Sequence, residues 1–76
     1  MTEHSAHIPV HLTHDPEADA AYLHLVAPTR TPFHAARQLV IEDETGDIVL
    51  DFSPEGHLLG IELLAPTHQL HPTLRP

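Results

Sequence analysis

Histidine and carboxylate are the reactive groups this 76-residue chain offers in number: nine His and eleven Asp or Glu, with no cysteine. His4, His7, His11 and His14 are spaced three, four and three residues apart. On a helix they would share one face and turn imidazole nitrogens toward a zinc or nickel ion. Ile8-Pro9-Val10 between them alternates as a strand does, so His7 and His11 share a side while His14 points away. His7, His11 and His14 thus stand as candidate ligands for a loosely held transition metal. They are the basis of an alternative reading as a metal-binding or pH-responsive protein, and His68 and His71 in the tail invite the same reading.

Two further groupings imitate known sites. Asp15, Glu17 and Asp19 match the first ligands of a calcium loop, but its sixth position is Ala20 and its twelfth is Val26, where glycine and glutamate are needed. Turn formation and capping explain these carboxylates more simply. Ser53 lies between Asp51 and His57, the residue types of a nucleophilic triad. A hairpin folding back on itself already brings these three together, and so short a chain cannot enclose a substrate pocket and keep a core. The expectation is a protein that is not an enzyme and needs no cofactor.

Composition narrows the partners. A net charge of −8, with three basic residues in all, repels nucleic-acid phosphates and anionic lipid headgroups. It suits a basic protein partner instead. Protonating all nine histidines would bring the charge to roughly +1. The opening MTEHSAHIPV lacks the basic-then-apolar order of a secretory signal, and no apolar run approaches a membrane span. The expected location is the cytoplasm.

The elements that must position these residues are short strands. Period-two alternation predicts them over about residues 8–14, 20–26, 36–42, 47–52 and 57–64. Asp15 and Pro16 begin the first turn, and Gly46 sits where a hairpin loop needs positive φ. Pro54 and Gly56 shape the next hairpin, while Gly60 inside the last strand marks a bulge or a close backbone approach. The reading is a mainly β protein: one small antiparallel sheet of about five strands, with two hairpins in the C-terminal half. It divides into a flexible N-terminus (residues 1–7), a single β domain (8–66) and a Pro-rich tail (67–76) holding at most one helical turn.

Two blocks carry a resemblance: residues 14–25, HDPEADAAYLHL, and residues 48–64, IVLDFSPEGHLLGIELL. Together they resemble the small bacterial family known as domain of unknown function 2283, over roughly residues 8–66. That family shows a D-P-E-A-D-A-x-Y block, then L-D, an acidic turn and G-x-hydrophobic-x-G-I-E. His14 stands where the family usually has an aromatic residue, and Phe52-Ser53-Pro54 replaces a more acidic turn. The resemblance implies a compact antiparallel β fold and no assigned reaction. Genes of that family often stand beside those of small toxin-like proteins, so the resemblance implies an antitoxin or accessory role by association only.

Alternation also sorts the side chains by face. Ile8, Val10, Leu12, Leu23, Leu25, Leu39, Ile41, Ile48, Leu50, Phe52, Leu59, Ile61 and Leu63 fall on one side, and nothing in the chain is built to roof them. The sheet must therefore roll up or meet a second copy, face to face or edge to edge, and a homodimer is expected. Tyr22, Leu58, Glu62 and Leu64 are the candidate contacts on the other side. Glu62 is the carboxylate set among apolar neighbours, where Arg37 or an arginine of another chain would meet it.

Overall fold

The computed structural model describes residues 5–26 and 35–75. Five strands form: β1 (His11–Asp15), β2 (Ala20–His24), β3 (Arg37–Ile41), β4 (Ile48–Phe52) and β5 (Leu58–Leu63). They make one sheet in the order β1-β2-β5-β4-β3, and every neighbouring pair is antiparallel. The chain enters by one edge hairpin and crosses to the opposite edge. Two hairpins then bring β5 back beside β2, so the last strand is the central one. The sheet stays open, with β1 and β3 as its edges.

Strand ends depart from the expected bounds for local reasons. β1 starts at His11 rather than Ile8: Pro9 has no N–H to give a ladder, and Ile8 is 74% exposed. β2 stops at His24 because the next two amides converge on one acceptor, Leu25 N–H and Val26 N–H both donating to the Leu59 carbonyl. Leu59 is an extra residue in β5. Asp51 pairs with Gly60 and Phe52 with Leu58, which leaves Leu59 bulged between them. His4 and the loop expected over residues 27–33 lie outside the described residues.

Cross-strand register lines the side chains up in rows, since directly opposed residues share a face. On the apolar face Leu12, Leu23, Ile61, Leu50 and Leu39 cross all five strands in one row. Beside it run His14, Ala21, Leu63, Ile48 and Ile41. The other face carries Thr13, Tyr22, Glu62, Val49 and Val40, next to His11, His24, Gly60, Asp51 and Gln38. Among the described residues the buried hydrophobic strand residues are Ala21, Val49 and Leu59, joined by Pro66 of the tail.

The tail closes one end of the sheet. It makes an α turn, α1 (Pro66–Gln69), and after Pro72 a 3-10 turn, η1 (Pro72–Leu74), one turn more than the prolines suggested. Gln69 Nε2 donates to the carbonyls of Gly46 (2.8 Å) and Asp47 (3.0 Å), and its Oε1 accepts from Ala65 N–H. Thr67 Oγ1 donates to Asp19 in the β1–β2 turn. Among the described residues no helix is long and apolar enough to cross a membrane.

Candidate functional site

The polar face holds a connected cluster that spans four strands. Tyr22 on β2 lies across β5 at Gly60, where a Cβ would fall within the tyrosine ring. Glycine is the residue that lets the ring lie flat there. The phenol thereby reaches β4 and donates to Asp51 Oδ2 at 2.9 Å, while Gln38 Nε2 on β3 donates to Oδ1 at 2.8 Å. Asp51 is 7% exposed, so each oxygen of a buried carboxylate has its own donor. Burial first, then the Asp51 hydrogen bond and charge and the Glu62 charge, push the Tyr22 phenol up to about 12. A phenol this hard to ionise is a fixed donor, and the cluster behaves as a latch.

Imidazoles extend the cluster toward β1. The His24 ring tilts against Tyr22 at 4.6 Å, its Nε2 lies 3.2 Å from Thr13 Oγ1, and His11 stands 5.7 Å from it across the strands. Next to Tyr22 a shallow pocket of about 210 Å³ is lined by Thr13, His14, Asp15, Ala20, Ala21, Tyr22 and Glu62. Its walls offer an aromatic ring, a hydroxyl and two carboxylates, a chemistry that receives a cationic side chain.

The candidates read from sequence scatter. His11 and His14 occupy opposite faces of β1, and His7 lies exposed ahead of it, so these three do not converge. Among the described residues no three His, Cys, Asp or Glu side chains gather as a metal site would require. Asp15 accepts from the amides of Glu17 (3.1 Å) and Ala18 (3.4 Å), with Pro16 between, a turn's use of a carboxylate. His14 Nε2 faces Asp19 Oδ1 at 4.0 Å, and neither atom has a hydrogen-bond partner among the described residues.

The serine trio does not assemble. Ser53 Oγ accepts from His57 N–H within its own turn, closed by Pro54 and by Gly56 at φ 87°, while Asp51 faces Tyr22 and Gln38. Glu62 and Arg37 do not meet either: Arg37 stacks 4.3 Å over Phe52, with which it is paired across β3 and β4. Glu62 lies on the opposite face, between Tyr22 and Val49. Leu58 does not share the face of Tyr22 and Glu62 as expected: the bulge at Leu59 sets it opposite Phe52 on the apolar face, 36% exposed, while Leu64 is 43% exposed. Gly46, at φ 144°, has Ala65 and Gln69 packed against it.

The latch itself was not read from sequence. Its one signal was Gly60, whose lack of a side chain flags a close approach without saying by what. Tyr22 and Asp51 belong to the two separate blocks of the resemblance, and the β2–β5 pairing brings them together.

Fold and latch define a small single-layer antiparallel β domain with a polar and an apolar face. The chain belongs to the family described as Protein of unknown function (DUF2283), whose model matches residues 11–65, from the first residue of β1 to just past β5. No curated protein and no solved structure matches it.

Proposed function

We propose that this chain is a homodimeric interaction module without catalytic activity of its own, whose acidic surface receives a basic protein partner in the manner of an antitoxin or accessory protein. One observation carries the dimer. The sheet is a single open layer with few buried hydrophobics, and its edge strand β3 leaves Leu39, Val40 and Ile41 47%, 54% and 43% exposed, apolar surface that a second copy would take out of water.

The partner reading rests on charge and on the pocket beside Tyr22. With a net charge of −8 the chain steers cationic surfaces toward itself, and Glu62 and Asp15 flank a ring on which an arginine can stack. Light scattering at micromolar concentration should give twice 8.4 kDa. A cooperative 8.4 kDa monomer overturns the dimer, and affinity purification that returns the bare chain overturns the partner.

A further inference from the structure

We infer that the second copy docks on the open edge of β3, the two β3 strands pairing antiparallel about a two-fold axis that passes beside Val40. This rests on the dimer reading above and says where that dimer forms.

The two edges of the sheet are not alike. β1 is defended: Pro9 precedes it, Asp15 and Pro16 end it, and its residues alternate between exposed and half-buried. β3 carries none of these devices. All five of its residues are exposed, and Leu39 (47%), Val40 (54%) and Ile41 (43%) form a continuous apolar run with apolar side chains on both faces. No charge interrupts the strand between Arg37 and Glu42. An edge of this kind is a template for another strand. Of the leucines and isoleucines on the inner strands only Leu58, at 36%, is exposed, so the largest apolar exposure within the sheet is at this edge.

Symmetry and charge then select the register. A two-fold axis perpendicular to the sheet keeps both apolar faces on one side, and it must set one residue opposite its own copy. Centred on Leu39, Arg37 would oppose Ile41 of the second copy. Centred on Ile41, Val40 would oppose Glu42 and Leu39 would oppose Asp43. Centred on Val40, every pair agrees in kind: Val40 with Val40, Leu39 with Ile41, Gln38 with Glu42 and Arg37 with Asp43. Each of the last three pairs occurs twice by symmetry. Gln38 has a second N–H for Glu42, since one already goes to Asp51. The apolar rows of the two sheets run on without a break.

The chain has no cysteine, so a single introduced thiol reports the register. Opposed Cα atoms in an antiparallel pair lie about 4.5–5.5 Å apart, within the roughly 4.4–6.8 Å that a disulfide spans. Val40→Cys should therefore give a covalent dimer on mild oxidation. Leu39→Cys, whose copy is two residues along the strand and roughly 8 Å away, should cross-link at least tenfold more slowly. Val40→Lys should shift the wild-type dimer mass to that of a monomer with the circular dichroism of the sheet unchanged. Faster cross-linking at Leu39, or no cross-linking at either position while the wild type still scatters as a dimer, overturns the β3 edge alone. A monomeric wild type overturns the dimer reading beneath it.

Discussion

Tyr22 lies over Gly60, so that one residue's missing side chain is the seat of another's ring. The contact lets a phenol on β2 reach over the central strand to Asp51 on β4, and Gln38 completes the span from β3. The sheet has few fully buried hydrophobics, and this polar strap ties strands that its thin core holds only in part.

Gly60→Ala should be strongly destabilising, because Gly60 is buried beneath the Tyr22 ring. The new methyl group must displace the Tyr22 ring, and overpacking of this kind costs about 1–3 kcal/mol. Urea denaturation of Gly60→Ala, alone and combined with Tyr22→Ala, measures it. The penalty should largely vanish in the double variant, because the ring that is struck is then absent.

Tyr22→Phe removes one of the two donors to a buried carboxylate, which costs about 1–3 kcal/mol through the oxygen left unpaired. The same residue sets an alkaline limit. The folded phenol titrates near 12 against an ordinary value of 10, so the unfolded chain releases its proton first as pH rises. Stability from this group is whole below pH 10 and is lost as pH climbs through about 12. Chemical denaturation across that window should show a downward slope in the wild type that Tyr22→Phe lacks.

Gln69→Ala should release the tail. The amide makes three hydrogen bonds that join α1 to its own start and to the β3–β4 loop, each worth about 1 kcal/mol net. Limited proteolysis should cut beyond Ala65 several-fold faster in the variant, with the strands still protected.

Glu62→Lys should weaken capture of the basic partner by about tenfold, a loss of about 1.4 kcal/mol, and should flatten its dependence on salt. Replacing His7, His11 and His14 together should leave capture unchanged. Pull-down with purified partner over a salt series separates the two. Equal loss in both variants would mean that the acidic pocket is not the contact.

Much of the fold is legible in the residues alone. Alternation placed all five strands, and Asp15, Gly46 and Gly56 sit in the turns expected of them, because backbone preference and side-chain period act over a few residues at a time. The apolar face was legible for the same reason, except at the bulge, where Leu58 rather than Leu59 comes to lie opposite Phe52. Where one residue altered the ladder the reading slipped: Pro9 shortened β1, and the bulge at Leu59 ended β2 early.

What depended on which strands become neighbours was decided only by tertiary structure. β2 and β5 are far apart in the chain, and period two says that Tyr22 and Asp51 each face away from the leucines without saying that they meet. Their meeting needs β5 to come between β2 and β4 and needs Gly60 to be level with both, a register set by long-range pairing. The same pairing sent Arg37 to Phe52 and left Glu62 beside Tyr22. Local period determined each residue's face, and the order of strands across the sheet determined its company.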